Sequence, residues 1–201
     1  MLRVRLFIFV FLPLIGLEAC ASSTTSSLSY TPPASVAATA VPTIAAVTAN
    51  DQRKEAPNRL ATIMGGFGNP LKVLDTNRPV KDEVAAAFTD GLRARGLLQA
   101  DGRGPLRLEL LIRKFDADMI MGSTARIDLD MTVIDQASQK VVYQDTVVDQ
   151  RSDFAFFATG VFANIEDLQK LAQTVLDATV NRMLDKPEFR AAIAPRPAPT
   201  S

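Results

Sequence analysis

The chain of 201 residues contains no histidine and a single cysteine, Cys20. Without histidine it lacks the commonest general base at neutral pH and the commonest zinc ligand. One thiol cannot close an internal disulfide, so the fold has to rest on an apolar core. Net charge is missing as well, since 22 basic residues balance 22 acidic ones. Removing the first nineteen residues, with Arg3, Arg5 and Glu18, leaves one acid in excess. Such a chain has no long-range field to draw nucleic acid or acidic lipid, and nucleic acid is excluded as an expected partner. These absences leave little room for an enzyme, and no cofactor or metal is expected.

What is present begins with a basic start, Arg3 and Arg5, followed by an apolar run from Leu6 to Leu17 broken only by Pro13 and Gly16. Twelve helical residues would span roughly 18 Å, well short of a hydrocarbon core of ~30 Å. The pattern is that of a secretory signal, residues 1–19, to be left out of fold reasoning. Its end, Leu17-Glu18-Ala19-Cys20, resembles the bacterial lipobox, with leucine three residues before the cysteine and a small residue directly before it. Glu18 stands where that pattern usually has a small uncharged residue. The resemblance implies cleavage between Ala19 and Cys20 and acylation of the Cys20 sulfur. A single acyl chain binds a membrane reversibly, whereas two or three make release slow. Because Ala21 is not aspartate, the resemblance points to the outer membrane, with the body facing the periplasm.

Residues 20–42 follow, rich in Ser and Thr from Ala21 to Ser29 and stiffened at Thr31-Pro32-Pro33. This composition is expected to act as a tether. The folded domain is expected over 43–194, with 195–201 a disordered tail. Thr43–Ala49 reads as a first strand. Residues 57–77 read as loop, with a short strand at Leu71–Leu74. A helix is expected from Pro79 to Gly96, with Asp82 and Glu83 near its positive end and Gly96 as its left-handed stop. Leu106, Leu108, Leu110 and Ile112 alternate with charged residues, as do Ala125, Ile127, Leu129, Met131 and Val133. Period two with one charged face predicts strands covered on one side. A longer turn is expected at 116–122, and a tight connection at 135–139 leads to a third strand at 140–148. Asn164 suits the N-cap of a last helix that Pro187 would stop. The order predicts an α+β two-layer sandwich, a mainly antiparallel sheet with two main helices on one face.

The exported part also resembles the YajG-like lipoproteins of Gram-negative bacteria. The resemblance is carried by Leu28-Ser29-Tyr30-Thr31-Pro32-Pro33, by a strand running into Asp51-Gln52-Arg53, and by the order of Gly-rich loop, helix, charged hairpin and final helix. It implies an outer-membrane lipoprotein without catalytic activity.

Candidate sites are few. Gly65-Gly66-Phe67-Gly68 allows close backbone approach to an anion, but no Gly-Lys-Ser/Thr follows and a structural loop is the expectation. Asp116, Asp118, Asp128 and Asp130 gather around one hairpin; calcium or acid–base work by an Asp-based hydrolase is weighed against a solvated strand face, which is favoured. Asp51 and Arg53 read as a turn-fixing ion pair or, alternatively, as a partner contact. Phe154, Phe156, Phe157 and Phe162 precede the last helix without strict alternation, and any rings left exposed would mark a protein or lipid contact. The expectation is a membrane-anchored, non-enzymatic accessory or binding module of the cell envelope, with an unidentified protein or lipid partner. The alternative is an auxiliary lipoprotein of a lipid transport system, for which an apolar groove able to hold an acyl chain would be needed.

Overall fold

In the computed structural model, residues 21–34, 36, 41–119, 122–153 and 164–195 are described. They form one seven-stranded mixed sheet with helices packed on one face, the expected α+β two-layer arrangement. The strands are β1 (Ser22–Ser26), β2 (Ile44–Asp51), β3 (Arg59–Met64), β4 (Pro70–Thr76), β5 (Leu106–Met119), β6 (Ser123–Asp135) and β7 (Val141–Asp153). The helices are α1 (Val80–Ala94), α2 (Ile165–Leu184) and α3 (Pro187–Ala192).

The sheet is built around the long β5–β6–β7 meander, antiparallel throughout. Its inward rows are those read from the alternation: Leu108, Ile112, Ile127, Leu129, Met131 and Val133 are all buried. A register shift between Ile112 and Lys114 adds a residue to β5, so that Phe115, Ala117 and Met119 return to the core face. The extra residue interrupts the alternation, which is why 116–119 reads as turn in sequence yet pairs as strand. The tight connection falls where expected. The Asp135 carboxylate accepts from the Ala137 and Ser138 amides, at 3.1 and 2.9 Å.

The other edge of β5 carries two parallel partners in series. β2 runs along its first half, Ile44 to Asp51 against Leu106 to Ile112, and β3 along its end, Ala61 to Ile63 against Ala117 to Met119. The stretch expected to be loop is therefore a β-hairpin, β3 and β4, antiparallel and turning through Gly65–Asn69. Glycines at the turn and Pro70 hide the period, because the flanking strands are short and register shifts interrupt them.

A second correction concerns the tether. Ser22 to Ser26 pair in parallel with Lys72 to Thr76, and Leu28 and Tyr30 are buried at 4% and 7% exposure. A Ser/Thr-rich segment cannot build a core, but an edge strand needs only backbone groups to satisfy, and the free edge of β4 supplies them. Leu28 and Tyr30 then supply the apolar burial. The Ser29 amide donates to Gln173 of α2 at 3.0 Å, so this segment is strapped to the helical layer.

α1 ends in a Schellman arrangement. The Leu97 amide donates to the Leu92 carbonyl (2.9 Å) and the Gly96 amide to the Arg93 carbonyl (3.0 Å), with Gly96 at φ 65°. Gly96 thus takes the stop position expected of it. α1 meets α2 at Gly91, where an added Cβ would lie 2.6 Å from Val180 Cγ1 and 2.9 Å from Leu184 Cδ1. Asn164 caps α2 by accepting from the Glu166 amide at 3.0 Å. Pro187 does more than end α2, since it opens the short α3. The edge strand β7 closes onto this layer through Lys186–Asp145 (2.5 Å), Arg182–Asp149 (3.0 Å) and an edge-on contact of Tyr143 with Phe189.

Candidate functional site

Two arginines with buried side chains tie separate elements together, one within the sheet and one in the helical layer. Arg53 leaves β2 where it parts from β5; the Gln52 amide donates to the Ile112 carbonyl as the last bond of that ladder. The guanidinium grips Asp51, with Nη2 at 2.8 Å from Oδ2 and Nε at 3.0 Å from Oδ1. It also donates to the carbonyls of Pro57, Arg59 and Phe115, at 3.1, 2.7 and 3.0 Å. The side chain is 2% exposed, and its donors bridge the gap between β2 and β3 along β5. Geometry thus commits Arg53 to the interior of the sheet and leaves no N–H for a partner. A cavity of about 440 Å³ beside it is lined by Asn50, Asp51, Glu55, Pro57, Pro79 and Lys81.

Arg95 closes α1. Its side chain is fully buried, with Nε and Nη2 each 2.7 Å from the Asp185 carboxylate. Nη2 also reaches Asn181 Oδ1 (2.8 Å), and Nη1 reaches the Tyr30 hydroxyl (2.9 Å) and the Gly91 carbonyl (3.0 Å). The Tyr30 hydroxyl in turn donates to Asn181 at 2.6 Å. One guanidinium therefore ties α1, the end of α2 and the N-terminal strap together. Burial works to lower the Arg95 pKa, but the hydrogen bonds to Asp185 and Tyr30 leave it raised. The Asp185 carboxyl is held below its ordinary value, first by the Arg95 hydrogen bond and, against burial, also by Arg190. Tyr30 belongs to the motif that carried the family resemblance; its role needs partners far off in sequence.

The four aspartates lie on the sheet face away from the helices, and three of them stand beside a cation while Asp118 faces Thr124 and Thr62. Arg113 pairs with Asp130, and Lys114 with Asp116 at 3.4 Å. Lys114 is opposite Asp128 in register, and Asp116 opposite Arg126. The arrangement is a charge-matched surface rather than a convergent site, and no cluster of metal-ligating side chains occurs among the described residues. Asp118 is raised by burial first and by Asp116 second, with Lys114 opposing.

One end of the sheet collects the remaining candidates. There Ser22 lies beside Lys72, Met64 beside Pro70, Met119 beside Ser123, and Ser123 beside Asp153. A cavity of about 270 Å³ opens between these strand ends and the first turns of α2, lined by Met119, Ser123, Asp153, Asp167, Lys170 and Leu171. Phe154, Phe156, Phe157 and Phe162 lie outside the described residues, as do Ala19, Cys20 and the tail beyond Pro195. The flanks of the phenylalanine run, Asp153 and Asn164, both stand at this end. The sequence reading missed the apex of the β3–β4 hairpin, where Phe67 is wholly exposed and Met64 is 37% exposed. The signal was a phenylalanine between glycines, too short a pattern to place.

No family model matches the chain, and no curated protein does. Among solved structures, the chain is similar to a Xanthomonas campestris protein of the DUF330 family, with TM-score 0.59 at 14% identity over 85% of this chain and 96% of that one. It is also similar to an uncharacterised protein at TM-score 0.51 and 7% identity, covering 81% and 96% of the two chains. Fainter matches include a Neisseria meningitidis lipoprotein, at TM-score 0.31 and 12% identity over 72% and 99%. The first two likenesses show the fold alone, an open α+β two-layer sandwich that this chain shares with both proteins. The YajG-like resemblance is not among these matches.

Proposed function

We propose that this chain is a non-enzymatic lipoprotein of the bacterial cell envelope, anchored through acylated Cys20 and facing the periplasm from the outer membrane. The observation that carries the reading is the lipobox-like Leu17-Glu18-Ala19-Cys20, which stands two residues ahead of the first strand of the folded body. A short apolar run ending in cysteine gives an export signal and an anchor, and the body beyond it needs no further membrane element. The YajG-like motif at Leu28–Pro33 supports the same location. An accessory or binding role fits a surface on which cations pair with most of the hairpin carboxylates and whose cavities mix charged with uncharged side chains.

Mass spectrometry of the mature N-terminus tests the reading. The expected product begins at Cys20 and carries acyl mass, and Cys20→Ser leaves the membrane fraction. Wild-type protein that lacks acyl mass, or an unmodified variant that stays equally membrane-bound, would defeat the anchor.

A further inference from the structure

We propose that the apex of the β3–β4 hairpin inserts into the same lipid surface that holds the acyl chains, with Phe67 as a second, side-chain anchor. The inference rests on the reading of Cys20 as the acylated residue and adds an orientation to it.

Strand register carries the argument. β1 is parallel to β4, and its first residue, Ser22, lies opposite Lys72, only two residues from Pro70 where β4 begins. The chain from Cys20 to Ser22 covers at most about 7 Å, whatever its conformation. The acylated sulfur is therefore confined to the end of the sheet from which the hairpin projects. The domain does not hang on a long tether, because β1 is already paired with the body.

The apex is built to present its ring. The Gly65 amide donates to the Asn69 carbonyl at 2.7 Å, the Gly68 amide donates to the Gly65 carbonyl at 3.0 Å, and Gly68 takes φ 77°. The turn is thus closed by its own backbone. An added Cβ at Gly66 would meet nothing within 4 Å, so the apex stands clear of the body. Phe67 at 102% exposure and Met64 at 37% place apolar surface where the acyl chains enter the bilayer. An exposed aromatic in water has no partner to stabilise it, while at the headgroup boundary its burial adds to the acyl anchor. Charge does not drive the contact. Lys72 is near the apex, but Asp118 and Asp153 lie at the same end of the sheet, so no basic belt faces the lipid.

The chain has no tryptophan, so Phe67→Trp makes the apex report alone. The full-length acylated protein is reconstituted into phosphatidylethanolamine–phosphatidylglycerol vesicles, and emission is read against aqueous acrylamide and lipids brominated in the acyl chain. The expected result is a blue shift, several-fold protection from acrylamide and quenching by brominated lipid, unchanged by salt. Val141→Trp, on an exposed residue of β7 at the opposite end of the sheet, should stay accessible to acrylamide and untouched by brominated lipid. A probe at position 67 as accessible to acrylamide as the Val141 control overturns the proposal. So does one shielded from acrylamide but not quenched by brominated lipid, which would place the ring against this chain's own body or a second copy instead. The N-terminal mass of the same sample separates the two readings. If Cys20 carries no acyl chain, the anchor fails, and the apex is judged on the unacylated chain: quenching of the Phe67→Trp probe by brominated lipid, with vesicle cosedimentation that Phe67→Asp abolishes, upholds it, and absence of either overturns it.

Discussion

Replacing Arg95 with methionine keeps much of the side-chain volume and removes all five N–H donors at once. The bonds lost are two to Asp185, one to Asn181, one to Tyr30 and one to the Gly91 carbonyl. Breaking a buried charged network by removing one partner costs about 3–5 kcal/mol. Three features pull this case toward the lower figure. Asp185 is half exposed and keeps Arg190, so water and a second cation take up part of its charge. The Tyr30 hydroxyl still donates to Asn181. The methionine fills space that alanine would leave empty. We expect a loss of about 3 kcal/mol in urea unfolding of the purified protein, with an unchanged m-value. Because the folded Asp185 pKa is depressed, its contribution is present above the ordinary carboxyl range near ~4 and is lost as pH falls through the folded value. The difference between wild type and Arg95→Met should therefore narrow in acid. A loss below about 1 kcal/mol at pH 7, or a difference that widens on acidification, refutes the assignment of Arg95 as the tie between the strap and the two helices.

Gly91→Ala should destabilise by about 1–2 kcal/mol, because overpacking against Val180 outweighs the gain in helix propensity. Val180→Ala in the same chain should recover part of the thermal midpoint. Arg53→Met removes the donors to Pro57, Arg59 and Phe115 and should lower stability by about 3 kcal/mol. Hydrogen exchange should accelerate first at Ala61–Ile63, where β3 joins β5, and equal acceleration across the whole sheet would argue against a local brace. Asp118→Asn should raise stability at pH 7 by about 0.5 kcal/mol or less. The carboxyl is raised in the folded state, so its charge is unfavourable above that raised value and irrelevant once both states are protonated. The advantage of the variant should accordingly vanish below pH ~4.

Local chemistry made much of the fold legible. Period two in Leu106–Ile112 and Ala125–Val133 fixed the two central strands and their buried rows. Gly96 and Asn164 marked helix ends because left-handed backbone and orphan amides are local needs, satisfied by residues nearby. The β3–β4 hairpin was not legible, since its strands are short and broken in register. Nor was β1, whose Ser and Thr carry no pattern and become strand only because β4 offers a free edge. Arg53 could be paired with Asp51 from two residues away, but its reach to Phe115 could not be read. Arg95 gave no sign of burial at all, as its side-chain partners stand 65 to 90 residues distant.

The division between the two levels follows from range. Composition and spacing alone determined the export-like start, the cysteine at its end, the lack of histidine chemistry, and the alternation that makes an α+β sandwich, because each depends on neighbours within a few residues. Tertiary structure decided which backbone edges are shared, how two arginines close the gaps between elements, and that Ser22 and the exposed Phe67 stand at one end of the sheet. Those outcomes depend on hydrogen bonds and contacts between residues that only folding brings together.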